Sequence, residues 1–112
     1  MEVTSKNTGV RVSPRKMRLV VDMVRGRDVD EALALLKFTP NKSAIEVQRT
    51  IKAARSDAEN VHDRDPDNLY IKRIFADEGP TFKRWRARAR GRVNQTLKRT
   101  SHLTVVLEEK ES

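Results

Sequence analysis

In residues 83–92 the chain reads KRWRARARGR, so that arginine occupies every second position from Arg84 to Arg92. An extended strand turns alternate side chains to opposite faces, whereas a helix would scatter the same residues around its circumference. The spacing therefore predicts a strand with all of these guanidinium groups on one face, about 6 to 7 Å apart. Such a row of like charges repels itself in the free protein, so we expect an anionic partner to hold it in place.

The same segment predicts a long hairpin. Gly91 has the conformational freedom for a tight reversal, after which residues 93–99 return antiparallel. Roughly eight or nine extended residues in each arm would reach about 25 to 30 Å beyond the body of the protein. Guanidinium groups bind phosphate oxygens through two hydrogen bonds and also stack on exposed bases. The Trp85 ring could stack on a base as well, so the expected partner is RNA. The alternative is a disordered basic tail that binds nucleic acid through charge alone.

The net charge of the protein resides in this part of the chain. Eight of the 24 Lys and Arg residues lie between Gly79 and Leu107, where there is no acidic residue. The other 83 residues carry 16 basic and 16 acidic side chains, so they are neutral overall. A net charge of +8 in 112 residues indicates a polyanionic partner, either nucleic acid or an acidic membrane surface.

Several kinds of function are disfavoured by composition. The chain contains no cysteine, which removes disulfides, thiolate metal sites and a cysteine nucleophile. No apolar run approaches the roughly 20 residues of a membrane span, and the N-terminus lacks the apolar core of a signal peptide. We therefore expect a cytoplasmic protein. Two histidines and four isolated glycines build neither a metal site nor a phosphate-binding loop, so we expect no metal, no cofactor and no catalytic residue.

The remaining sequence predicts one α+β domain. Start and stop signals and apolar stripes at helical spacing predict three helices, over residues 13–26, 28–39 and 44–61. Residues 3–12, 69–76 and 102–107 have the pattern of strands. We predict a single domain spanning residues 1–112, in which a small three-stranded antiparallel sheet packs against three helices and a long β-hairpin protrudes at about residues 80–100.

Two local features of the helices lead to more specific expectations. Asp28 and Glu31 have the spacing of a capping box at the start of the second helix. A second basic cluster brackets the first helix and consists of Arg11, Arg15, Lys16, Arg18, Arg25 and Arg27. A solvated helix face and a phosphate-binding face are both consistent with this cluster. Lys16, beside the helix start, is a candidate for phosphate binding.

Two stretches of the chain resemble a known family. Residues 10–26 read VRVSPRKMRLVVDMVRG. Residues 79–105 contain GP at 79–80, KR at 83–84, RARGR at 88–92 and KRTSHLTV at 98–105. In order and spacing they resemble the family of the bacterial large-subunit ribosomal protein number twenty-two, and the resemblance spans nearly the whole chain. One departure is Ala87, which stands where the family commonly has proline.

The resemblance implies a structural constituent of the large ribosomal subunit. Such a protein would bind 23S rRNA, support subunit assembly and line the nascent-peptide exit tunnel with its hairpin. The implied partners are 23S rRNA, neighbouring large-subunit proteins and the nascent polypeptide, with macrolide antibiotics binding nearby; neither a membrane nor a homo-oligomer is expected. Carried over by position, the tunnel-facing tip would be Ala87, Arg88, Ala89, Arg90, Gly91 and Arg92, with Phe82, Lys83 and Arg84 bracing the stem.

The predicted RNA-binding residues combine the two basic segments with the return arm of the hairpin. They are Arg11, Arg15, Lys16, Arg18, Arg25, Lys83, Arg84, Trp85, Arg86, Arg88, Arg90, Arg92, Lys98, Arg99, Ser101 and His102. Two other classes are open alternatives: a helix-turn-helix DNA-binding regulator and an RNA-modifying enzyme. The balanced charge of the third helix argues against the regulator, and an enzyme of this kind should show a cofactor site.

Overall fold

The computed structural model describes residues 2–39, 41–87 and 93–110, with the description of residues 82–87 and 93–98 restricted to the backbone. The helices are α1 (Pro14–Val24), α2 (Val29–Lys37) and α3 (Lys42–Asn60). The strands are β1 (Glu2–Val10), β2 (Leu69–Glu78), β3 (Phe82–Ala87), β4 (Val93–Lys98) and β5 (Ser101–Glu109). None of the described helices is long and apolar enough to cross a membrane.

Strand β5 forms the centre of an antiparallel sheet whose strand order is β1-β5-β2. Leu103, Val105 and Leu107 of β5 alternate along the strand and are completely buried. Helix α3 packs on β1 and β5, while α1 packs on β2, so the helices cover the face to which these side chains point. The predicted α+β fold, with three helices on a three-stranded antiparallel sheet, is confirmed.

Helix α1 forms where the sequence predicts it. The Ser13 hydroxyl accepts a hydrogen bond from the Lys16 N–H at 3.5 Å, which caps the first turn. At the other end Gly26 adopts φ +79°, and its N–H donates to the Ile71 carbonyl at 3.1 Å. The predicted apolar stripe is buried throughout and consists of Met17, Val20, Val21 and Val24.

Two predictions about α2 and α3 are wrong. Asp28 is the N-cap residue of α2 but forms no capping bond, since its carboxylate instead binds Lys110 Nζ at 2.6 Å. Glu31 likewise binds Arg27 at 2.6 Å, so the expected capping box does not form. Val61, expected at the end of the apolar seam of α3, is 71% exposed because the helix ends one residue before it.

Strands β3 and β4 form a hairpin that projects from the domain. They pair from Phe82 opposite Lys98 at the base to Ala87 opposite Val93. Neither strand packs extensively on any other described element, and the chain measures 68 × 26 × 18 Å. The protruding hairpin is confirmed for these strands. The predicted reversal at Gly91 lies outside the described residues.

Close backbone contacts join the base of the hairpin to the domain. The Gly79 N–H donates to the Thr100 carbonyl at 2.9 Å, and the Thr100 hydroxyl donates to the Pro80 carbonyl at 2.6 Å. A Cβ atom on residue 79 would lie 2.5 Å from Thr100 Oγ1, so glycine is needed for this close approach. The contacts set the direction in which the hairpin leaves the sheet.

Candidate nucleic-acid interface

A cleft of about 390 Å³ lies where the base of the hairpin meets the start of α1. Its lining residues are Ser13, Pro14, Arg15, Arg18, Glu78 and Arg99. Three arginines and one glutamate leave the lining with a positive charge. The cleft therefore brings together members of both basic segments, which are far apart in the sequence. Its charge and its open shape suit the phosphate groups of a polyanion.

The elements around the cleft determine how its arginines are held. Arg15 and Arg18 project from the first turns of α1, and Arg18 Nε donates to the Ala76 carbonyl of β2 at 3.2 Å. Arg99 is exposed in the short link between β4 and β5. The first turn of α1 contains no acidic side chain, so the positive end of the helix dipole adds to the field of the arginines.

Arg25 lies at the far end of α1 and does not line the cleft. Its Nη2 donates to the Ile74 carbonyl at 3.0 Å, and its Nη1 binds the Asp22 carboxylate at 2.6 Å. Arg25 and Arg18 thus bind two carbonyls of β2, which is an edge strand of the sheet. Covered edge carbonyls are less available for pairing with another chain, so these two arginines also have a structural role.

Ser101 and His102 also make contacts within the chain. Ser101 is 0% exposed, and its hydroxyl donates to the Val12 carbonyl at 2.5 Å. His102 Nδ1 accepts the Gly9 N–H at 3.0 Å, where Gly9 adopts φ +67°. Both residues therefore connect the start of β5 to the end of β1 or to the segment that follows it. Ser101 offers no surface to a partner in this conformation.

The other predicted RNA-binding residues fall into two groups. Arg11 and Lys16 are exposed at the same end of the domain as the cleft. The second group consists of hairpin residues whose side chains lie outside the described part of the structure, namely Lys83, Arg84, Trp85, Arg86, Arg88, Arg90, Arg92 and Lys98. The same holds for the proposed tip, of which the structure describes the backbone of Ala87 and no further residue.

Two exposed lysines that were not among the predicted binding residues lie at the corner between α2 and α3. Lys37 ends α2 and Lys42 begins α3, and Lys42 Nζ donates to the Arg11 carbonyl at 3.4 Å. Residues 32–45 contain no acidic residue. The signal was therefore an acid-free stretch like the one that identified the hairpin, but shorter.

At the opposite end of the domain, charged side chains form ion pairs with one another. Lys72 Nζ binds Glu2 at 2.7 Å and Glu108 at 3.1 Å, and Arg73 also binds Glu2 at 2.7 Å. The hydrogen bond from Lys72 is the main cause that lowers the pKa of Glu2 and of Glu108. In turn, the bonds to the two carboxylates raise the pKa of Lys72.

At the cleft end, by contrast, the cations lack such partners. The residues in or beside the cleft that form no ion pair with any described residue are Arg11, Arg15, Lys16, Arg18, Lys42 and Arg99. Lys37, at the end of α2, forms no ion pair with a described residue either. Their charge remains available to an outside partner. Over the described ranges, no group of His, Asp and Glu side chains is arranged to hold a metal ion.

Comparisons of the sequence with known proteins identify the family of this chain. The family model of ribosomal protein L22p/L17e matches residues 5–108. The chain is 49% identical over 109 residues to the large ribosomal subunit protein uL22 of Thermomicrobium roseum, an alignment that covers 97% of this chain and 92% of the relative. It is 50% identical over 111 residues to uL22 of Roseiflexus castenholzii, covering 99% of this chain and 98% of the relative. Because the match extends along nearly the full length of the chain, this protein belongs to the ribosomal protein L22p/L17e family, whose members are structural constituents of the ribosome and not enzymes.

Proposed function

We propose that this chain binds 23S rRNA, supports assembly of the large subunit and lines the nascent-peptide exit tunnel with its hairpin. The broader statement, that it is a large-subunit ribosomal protein of the cytoplasm, follows from its family. rRNA and neighbouring ribosomal proteins are accordingly its partners. The finer statements depend on the positions of the charged residues and on the shape of the hairpin.

The observation that carries the proposal is the collection of unpaired cations at the hairpin end of the domain. Arg15, Arg18 and Arg99 line one cleft with a single carboxylate, that of Glu78, among them. Guanidinium groups bind phosphate oxygens in a bidentate geometry, and each phosphate they neutralise releases condensed counterions. Bound RNA would therefore relieve the mutual repulsion of these side chains.

The hairpin supports the tunnel-lining part of the proposal by its form. A two-stranded ribbon of paired residues is one layer thick and extends about 20 Å over the six residues of each described strand. Such a ribbon is narrow enough to pass between rRNA helices that a globular domain could not enter. Residues 87–92 would then face the nascent polypeptide, close to the site that macrolide antibiotics occupy.

Binding of the full-length chain to 23S rRNA across a salt series tests the proposal, with duplex DNA as competitor. We expect the protein to stay bound to 23S rRNA at high salt and in excess duplex DNA, because a specific RNA site adds contacts beyond the electrostatic ones. Displacement by duplex DNA would instead favour a DNA-binding regulator and contradict the proposal.

The contribution of the tip is tested by reversing the charges of Arg88, Arg90 and Arg92 together. The variant should fold as the wild type does, because this row of like charges contributes on binding. Its incorporation into large subunits in cells should decrease, as measured by quantifying the protein in purified subunits. Loss of the native circular dichroism spectrum, or wild-type incorporation, would show that the hairpin has another role.

A further inference from the structure

The corner between α2 and α3 presents an exposed aromatic side chain. Phe38 is 81% exposed, the largest exposed fraction among the large hydrophobic side chains of the described residues. A single exposed apolar side chain is common on protein surfaces and has no functional meaning by itself. The significance of Phe38 therefore depends on how it is held and on what surrounds it.

The backbone around Phe38 is held in place by local hydrogen bonds. The Phe38 N–H donates to the Leu35 carbonyl at 3.3 Å, and the Thr39 N–H donates to the Leu36 carbonyl at 3.1 Å. The Thr39 hydroxyl donates to the Leu35 carbonyl at 3.1 Å as well. These bonds satisfy the carbonyls of Leu35 and Leu36 in the last turn of α2, so the ring is presented on a backbone that is already ordered before binding.

The chain on both sides of Phe38 is basic, since residues 32–45 contain two lysines and no acidic residue. Lys37 precedes Phe38 and Lys42 begins α3, and both lysines are exposed. The Asn41 side chain caps α3 by accepting the Ala44 N–H at 2.8 Å, and the first turn of α3 contains no acidic residue. An aromatic face flanked by cations and by the positive end of a helix is suited to an unstacked base and its phosphates.

A hydrogen bond links the corner to the segment that leads into the basic cleft. Lys42 Nζ donates to the Arg11 carbonyl at 3.4 Å, and Arg11 lies two residues before Ser13 of the cleft lining. We propose that Phe38 stacks on an unpaired base of 23S rRNA while Lys37 and Lys42 bind the adjoining phosphates. The inference rests on the proposed function, to which it adds a second contact that recognises a single-stranded nucleotide.

The test compares four substitutions in the full-length protein by binding to 23S rRNA. Phe38→Ala and Phe38→Leu should both weaken binding by about 5- to 100-fold, because neither side chain has a π face. Phe38→Tyr should stay within about twofold of the wild type, since the aromatic face remains. Val61→Ala is the matched control, because Val61 is also exposed and lies about 28 Å along α3 from Lys42.

Chemical modification of the bases provides the second measurement. We expect the wild type and Phe38→Tyr to protect the same unpaired nucleotide, which becomes reactive with Phe38→Leu. Equal binding by Phe38→Leu and the wild type would overturn the inference and leave the proposed function intact. So would unchanged base protection combined with loss of a neighbouring protein from subunits reconstituted with Phe38→Ala, since the corner would then be a protein contact. Failure of the wild type to bind 23S rRNA would overturn both.

Discussion

The two ends of the domain use their charged residues in opposite ways. At the end away from the hairpin, Lys72 and Arg73 of one strand neutralise Glu2 and Glu108 of the two others. At the hairpin end, Arg15 and Arg99 line a cleft and form no ion pair with any described residue. The sequence outside residues 79–107 carries equal numbers of basic and acidic residues. The fold nevertheless places ion-paired side chains at one end of the domain and cations without ion pairs at the other.

This separation arises from strand direction. Strand β5 begins at Ser101 beside the hairpin and ends at Glu109, where the chain becomes acidic. Because β1 and β2 both run antiparallel to β5, Glu2 and Tyr70 meet Glu108 at the far end. Ion pairs at that end stabilise the free protein modestly, whereas the unpaired cations at the other end are available to the proposed rRNA partner.

Charge reversal at the cleft should have the largest effect. Arg15→Glu combined with Arg99→Glu would remove two of the proposed charge-assisted contacts with phosphate, which are worth about 1.5 to 3 kcal/mol each, and would add repulsion. We expect affinity for 23S rRNA to fall by about 100-fold or more, measured by filter binding. Arg49→Glu combined with Lys52→Glu, at exposed positions of α3, is the control with the same change in net charge and should change affinity far less. Similar losses in both variants would mean that overall charge, and not the cleft, determines binding.

Substitution at the hairpin base should have the next largest effect. Gly79→Ala places a Cβ atom against Thr100 Oγ1 and should lower the free energy of unfolding by about 1 to 3 kcal/mol in urea titrations. Thr100→Ala removes the obstructing hydroxyl, so the cost of Gly79→Ala should be smaller in that background. Additive effects of the two substitutions would show that the close approach is not what requires glycine.

Removal of the buried hydroxyl of Ser101 should have a smaller effect on stability. Ser101→Ala leaves the Val12 carbonyl without this donor and should lower the free energy of unfolding by about 1 to 2 kcal/mol. Ser56→Ala, at an exposed position of α3, is the matched control and should stay within about 0.5 kcal/mol of the wild type. If Ser101→Ala were as stable as the control but lost affinity for rRNA, Ser101 would be a binding residue after all.

The smallest expected effect is on the pH dependence of stability that the ion pairs of Glu2 and Glu108 contribute. The pKa values of Glu2 and Glu108 are lowered in the folded chain, so their stabilising contribution is present above the ordinary value near 4.5 and is lost as the pH falls through the lowered values. Lys72→Met removes the main cause of both shifts. Urea midpoints measured between pH 7 and 2.5 should therefore decline less steeply in the variant than in the wild type. Parallel profiles would mean that the network adds no pH-dependent stability.

Local chemistry accounts for the parts of the fold that were predicted. The stripe of Met17, Val20, Val21 and Val24 is buried as its spacing requires, because helical periodicity places these residues on one side. Ser13 starts α1 by capping its first turn, and Gly26 follows its end with a positive φ. Both effects depend on only a few residues near each other in the chain. The alternation of arginine predicted extended backbone, and the structure confirms it over Phe82–Ala87.

The sequence by itself determined the elements, the concentration of charge in one segment and the α+β class, since each depends on neighbours within a few turns or on alternation along a strand. The tertiary structure alone decided which polar groups meet. Asp28 binds Lys110 instead of capping its own helix, and the Ser101 hydroxyl binds the Val12 carbonyl instead of facing a partner. It also formed the cleft, because Arg15 and Arg99 become neighbours once β5 lies between β1 and β2. Contacts of this kind join residues distant in the chain, and no local pattern of residues specifies them.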